Sequence, residues 1–189
     1  MKYRNVAAPL AAFAAVLVLR PASAGDFKLT SSDVGPDIPL AQDFVFNGFG
    51  CSGGNHSPSL SWSGAPAGTK SFAVALFDPD AMQGRGFWHW LMVNIPVGTT
   101  ALARDAGKND GSKMPVGAVQ IKNGFRAIGY SGSCPPTADA PHAYVMTVYA
   151  LKSAALEIPA DATAASMLAA IQANSLAKAE FTYHFGRKP

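Results

Sequence analysis

Short runs rich in apolar residues, with faces that can be read on a two-residue period, recur along the chain. In Ser71–Asp78, Phe72, Val74, Leu76 and Asp78 share one parity while Ala73, Ala75 and Phe77 share the other. Both faces therefore stay apolar until the last residue, as expected of a strand buried on both sides. Residues 87–95 repeat the pattern, with Phe87, His89, Leu91, Val93 and Ile95 on one face and Trp88, Trp90 and Met92 on the other. His142–Leu151 sets His142, Tyr144, Met146 and Val148 together, and its stretch 145–149 is rich in β-branched and aromatic residues. Three central strands are predicted. Gly- and Pro-rich clusters at 47–57, 64–68, 79–86, 104–117 and 131–141 separate short runs of this kind, which favours a β sandwich over long helices.

Helical spacing is confined to the C-terminal part. Asp161 or Thr163 can cap a segment carrying Ala164, Ala165, Met167, Leu168, Ala169, Ala170 and Ile171, which predicts one helix of about three turns. Residues 180–185 alternate again, Phe181, Tyr183 and Phe185 against Glu180, Thr182 and His184, and are expected to return as a final strand. The predicted class is mainly β, with peripheral short helices.

The first 24 residues have a different pattern. Lys2 and Arg4 precede an apolar run from 6 to 19, too short to span a bilayer comfortably, and Ala22-Ser23-Ala24 follows. This is the layout of a cleaved export signal, with cleavage expected after Ala24 and no transmembrane anchor left behind. Residues 25–189 contain no internal repeat or low-complexity linker and read as a single domain in a periplasmic or secreted protein. Losing Lys2, Arg4 and Arg20 with the leader takes three of the fifteen basic residues and leaves twelve against twelve acidic ones. A neutral mature chain has no basic footprint for nucleic acid.

Two cysteines, Cys51 and Cys134, remain in a chain addressed to an oxidising compartment, where an even count favours one disulfide. The alternative is two unpaired thiols. Their separation excludes local C-x-x-C chemistry.

The polar residues of the strands sit at the strand ends. If 71–78 and 87–95 form a hairpin over the 79–86 loop, Asp78 opposes Phe87 and Leu76 opposes His89. Asp78 and His89 are then diagonal neighbours on one face. His142 starts its own strand just after a Gly- and Pro-rich loop.

Asp78-Pro79-Asp80-Ala81 followed by Trp88-His89-Trp90-Leu91-Met92-Val93-Asn94 resembles the first signature of the phosphatidylethanolamine-binding proteins, also called Raf kinase inhibitor-like proteins. Gly129-Tyr130-Ser131-Gly132-Ser133-Cys134-Pro135-Pro136 and then His142-Ala143-Tyr144 resembles the second. Asn55-His56-Ser57-Pro58-Ser59-Leu60-Ser61-Trp62 and Ala67-Gly68-Thr69-Lys70-Ser71-Phe72 are similar to the bacterial YbhB/YbcL branch. Met82 stands where the family's proline is usual, and Ala143 where arginine is usual.

The resemblance implies a Greek-key-like β sandwich with a small anion pocket at one end, formed by Asp78, His89, Pro136, His142 and Tyr144. Two imidazoles and a phenol are donors suited to an anion, an Asp orients one imidazole, and backbone N–H groups of 129–133 are expected to form an anion nest. His56 and His184 lie outside the assigned pocket and keep their ordinary reading as satisfied surface or core residues, and Asp80 is expected to close its loop rather than touch ligand.

The implied function is a binding protein for phosphate- or carboxylate-bearing ligands, whether a phospholipid head group, a metabolite or a phosphorylated partner. Modulation of a protease- or kinase-like protein partner is the alternative, with a pocket hydrolase behind both. No G-x-S-x-G elbow accompanies Ser131 or Ser133, so no catalytic residue is assigned. No cofactor is expected, and the two histidines and one aspartate lack H-x-D or H-E-x-x-H spacing for a metal.

Overall fold

In the computed structural model, which describes residues 27–188, ten strands assemble into sheets of five, three and two. The five-stranded sheet has the order β10 (Ser175–Phe185), β9 (His142–Leu151), β5 (Ser71–Asp78), β6 (Phe87–Pro96), β8 (Val119–Gln120). Every adjacent pair in it is antiparallel. The run β9-β5-β6-β8 is the Greek-key order, in which a later strand returns beside the first of three. The second sheet is β1 (Lys28–Thr30), β4 (Leu60–Ser63), β7 (Ala101–Leu102), and β2 (Asn47–Gly48) pairs with β3 (Cys51–Ser52) as a hairpin. The predicted leader and its cleavage site lie outside the described residues.

The double-sided apolar pattern of β5 follows from its central place. Phe72, Val74 and Leu76 face Leu29, Leu60, Trp62 and Leu102 of the three-stranded sheet, making the main core. Ala73 and Ala75 face the opposite way, onto Met167 and Ile171 of the helix Ala164–Asn174. Burying each large side chain of this kind contributes roughly 1.5–3 kcal/mol. Thr163, rather than Asp161, caps the helix, accepting from the Ser166 N–H while the Ser166 hydroxyl accepts from the Thr163 N–H. The final strand is longer than its alternation indicated. It begins at Ser175, directly after the helix.

The largest departure from the expected pattern is in β6. Asp78 pairs with Phe87 as predicted, and Phe77 with Trp88, but Leu76 pairs with Trp90, so His89 is an extra, unpaired residue. This β-bulge turns His89 and Trp90 toward the same side and moves Leu91 and Val93 to the helix-facing core. A second shift, between Met92 and Ile95, carries Asn94 at φ 57° and returns Ile95 to the main core. The single face expected for Phe87, His89, Leu91, Val93 and Ile95 is therefore broken twice. Without the first bulge, Trp90 would not share the side of His89 that meets Tyr144.

Candidate functional site

Asp78 ends β5, and its two carboxylate oxygens have different tasks. Oδ1 accepts from the backbone N–H groups of Asp80 and Ala81, at 2.9 and 3.0 Å, closing an Asx turn. Oδ2 lies 2.8 Å from His142 Nδ1 and 3.9 Å from His89 Nε2. Burial opposes ionisation of Asp78, but the two imidazoles and the Ala81 N–H outweigh it and hold its pKa below the ordinary value. The Asp80 side chain ties the loop to the start of β9, its Oδ2 accepting from the Ala143 N–H at 2.7 Å.

His142 stands at the start of β9 between two carboxylates. Nδ1 faces Asp78, and Nε2 lies 3.2 Å from Asp139 Oδ2 at the exposed rim. Burial opposes charge on the ring, yet Asp78 and then Asp139 raise its pKa above the ordinary imidazole value. Asp139 carries no signal in the sequence beyond its place three residues before His142, and it was not anticipated.

His89 is fixed differently. Its Nδ1 is 2.9 Å from the Ser131 carbonyl. A carbonyl only accepts, so Nδ1 carries the proton, and Nε2 is left facing Asp78 beyond hydrogen-bond distance. The Ser131 N–H in turn donates to the His89 carbonyl at 3.0 Å, so the bulge is tied to the 129–133 loop from both sides.

That loop is not the anion nest expected of it. The N–H groups of Tyr130, Ser131 and Gly132 are already spent on the Gly107 carbonyl, the His89 carbonyl and Asn55 Oδ1. Gly132 instead permits close approach of two segments: a Cβ there would collide with the Phe44 carbonyl oxygen.

All five residues assigned from the sequence, Asp78, His89, Pro136, His142 and Tyr144, line one cavity of about 240 Å³. Tyr144 is fully buried, and its hydroxyl has no hydrogen-bond partner. Among the described residues the other buried side-chain polar atom in that state is Trp62 Nε1, which is not in the cavity lining. Burial, and then the charge of Asp78, pushes the Tyr144 hydroxyl far above the ordinary phenol range, so it remains a donor at any working pH. Pro136 forms part of the exposed wall, next to Cys134, which is bonded to Cys51 with their Cα atoms 6.1 Å apart. Of the loop's serines, Ser131 Oγ accepts from Asn123 and Ser133 Oγ lies 3.2 Å from the Tyr183 hydroxyl, and neither is among the residues that line the cavity. Among the described residues no cluster has the make-up of a metal site.

The mouth contains residues that the sequence reading did not assign. Phe49, Met82, Phe87 and Phe125 line it together with Asp139. Phe49 occupies the tip of the β2–β3 hairpin between Gly48 and Gly50. They come from separate segments of the chain and meet only in space.

Comparison with known proteins agrees with this geometry. The family model described as phosphatidylethanolamine-binding protein matches residues 30–186. Escherichia coli YbcL is 48% identical over 161 residues, covering 85% of this chain and 88% of that one. YbhB of the same organism is 40% identical over 158 residues, covering 84% and 99%. The crystal structure of E. coli YbcL, described as a new member of the mammalian PEBP family, superposes with a TM-score of 0.83 at 47% identity, covering 86% of this chain and 99% of that one. Sequence, fold and topology agree: the chain belongs to the phosphatidylethanolamine-binding protein family.

Proposed function

We propose that this chain is an exported single-domain protein that binds a phosphate- or carboxylate-bearing ligand in the cavity of Asp78, His89, Pro136, His142 and Tyr144. The observation that carries this reading is the buried Tyr144 hydroxyl without a partner, 0% exposed and lining the cavity. A buried donor left unpaired carries a desolvation cost that a bound acceptor would remove. His89 Nε2, its ring held by the Ser131 carbonyl, offers a second contact on the same side. Export is supported by the leader-like residues 1–24 and by the Cys51–Cys134 bond.

Among the described residues no Lys or Arg lines the cavity, whereas the carboxylates of Asp78 and Asp139 do. Any positive charge facing a ligand there must come from the two imidazoles, His89 and His142. Anion binding must therefore draw a proton onto the site, and by reciprocity affinity rises as pH falls. The test is titration calorimetry with phosphate and phosphoethanolamine at about pH 5.5 and 8 on the wild type, His89→Ala, His142→Ala and His56→Ala. Loss of one charge-assisted contact of about 1.5–3 kcal/mol predicts a drop of more than about tenfold in the first two variants. His56→Ala is expected to match the wild type. Equal affinities across all four proteins and both pH values would refute the reading.

A further inference from the structure

Aromatic rings run without a break from the floor of the cavity to its mouth. The Phe87 ring lies 4.9 Å from that of His89 and 4.6 Å from that of Phe125, and Phe125 stacks on Phe49 at 5.3 Å and 19°. Phe46 backs the last two, at 5.2 Å from Phe125 and 5.9 Å from Phe49. At the outer end this apolar surface is open: Phe49 is 74% exposed, Met82 57% and Phe125 39%. No other phenylalanine, tyrosine or tryptophan among the described residues is a large exposed hydrophobic, and both exposed rings line this one cavity.

Backbone conformation sharpens the point. Phe49 and Met82 both adopt left-handed φ, at 52° and 54°, which side-chain-bearing residues rarely take. Phe49 does so at the tip of a two-stranded hairpin where a glycine would be unstrained, and it presents a phenyl ring largely to solvent. Stacking on Phe46 and Phe125 accounts for part of that ring, and packing among the described residues leaves the rest uncovered. Strained positions of this kind are tolerated where function holds them.

The electrostatics point the same way. With two carboxylates and no Lys or Arg among the described residues of the lining, charge alone holds a bare anion weakly. Apolar contact must supply much of the affinity. We propose that the cavity selects small anions bearing an aryl substituent, the anionic group at Tyr144 and His89 and the ring against Phe49 and Phe125. The proposal rests on the anion-binding reading above and adds the chemical class of the ligand. The cavity, at about 240 Å³, admits a single substituted ring with its anionic group.

The experiment compares phenyl phosphate with inorganic phosphate by titration calorimetry at about pH 5.5, where both are largely monoanions, on the wild type and on Phe49→Ala and Phe125→Leu. In the wild type, phenyl phosphate is expected to bind at least about tenfold more tightly than phosphate, from the apolar area of one ring. That ratio should fall about fivefold in Phe49→Ala, the loss of one aromatic partner. Phe49 is exposed, so this variant retains the core, and Phe125→Leu keeps the packing on Phe87 as a second check. Phosphate binding with no preference for phenyl phosphate would overturn the aryl selectivity and leave the anion-binding reading standing. A preference unchanged in both variants would also overturn it, by removing the ring contacts from the account. Absence of binding by either compound would overturn both readings.

Discussion

The molecule contains two histidine–aspartate pairs of almost the same local geometry. His142 Nδ1 lies 2.8 Å from Asp78 Oδ2, and His56 Nδ1 lies 2.7 Å from Asp105 Oδ1. Their surroundings differ completely. The side chains of the first pair are 6% and 3% exposed, and they line a cavity beside an unpartnered hydroxyl and a second imidazole. In the second pair His56 is 38% exposed, and Lys108 and Lys113 reach Asp105 Oδ2 at 3.5 and 3.4 Å. Asp105, itself only 9% exposed, is neutralised by partners that reach solvent, so the pair is complete in itself. What makes the first a candidate site is the unmet demand around it rather than the pair.

The comparison is tested most strongly by removing one charge from each pair. Asn tolerates the conformations of both aspartates, including the left-handed φ of 73° at Asp105, so it isolates the charge. Asp78→Asn is expected to lower stability by about 2–3 kcal/mol, because the buried His142 ring loses the nearer and more buried of its two carboxylates. Asp105→Asn, with exposed cationic partners, is expected to cost about 1 kcal/mol or less. Urea denaturation near neutral pH gives both values. Equal losses would mean that burial does not separate the two pairs.

The pH profile sharpens the same contrast. His142 is raised in the folded chain, with burial opposed by Asp78 and Asp139, so its contribution is full below the ordinary imidazole pKa. It fades as pH climbs through the raised folded value. Asp78 is lowered, so its contribution is present above the ordinary carboxylate pKa and is lost as pH falls through the depressed folded value. The stability gap between wild type and Asp78→Asn should therefore be widest between these limits and narrow at both extremes. A gap that stays constant from acid to alkaline pH would show that the pair is not ionic.

Both the correct and the incorrect expectations from the sequence have physical causes. β5 and β9 are legible because both faces are packed and nothing interrupts their two-residue period. β6 has the same composition, but its two bulges are set by what lies across the sheet: the 129–133 loop grips His89 from both sides, and Asn94 binds Leu156 through both its amide atoms. Alternation along one strand cannot report that. The strands β1, β7 and β8 span only three, two and two residues, too short for a period to emerge. Motif context marks His89, His142 and Tyr144, which line the cavity, whereas Asp139 and Phe49 join its lining only by folding. The anion nest failed for a related reason: the Gly-rich loop looks free in sequence, but its N–H groups are used to hold the sheet and Asn55.

The smallest expected change in stability bears most directly on the unmet demand. Tyr144→Phe deletes only a hydroxyl, keeping the ring stacked on Tyr183 at 5.3 Å and edge-on to His89 at the same distance. That hydroxyl has no partner among the described residues, so its removal costs no hydrogen bond among them. Removing a buried, unpaired polar atom is expected to leave stability unchanged or to raise it by up to about 1 kcal/mol. Anion affinity should move the opposite way, falling roughly tenfold or more as one hydrogen bond to a charged group is lost. Most substitutions that weaken binding by damaging a fold lower stability and affinity together, so opposite signs separate a ligand contact from a packing role. Thermal unfolding and phosphate titration on the same preparation decide it. A destabilised Tyr144→Phe protein that retains full affinity would place the hydroxyl among the structural groups, alongside that of Tyr130, which donates to the Phe44 carbonyl at 2.8 Å.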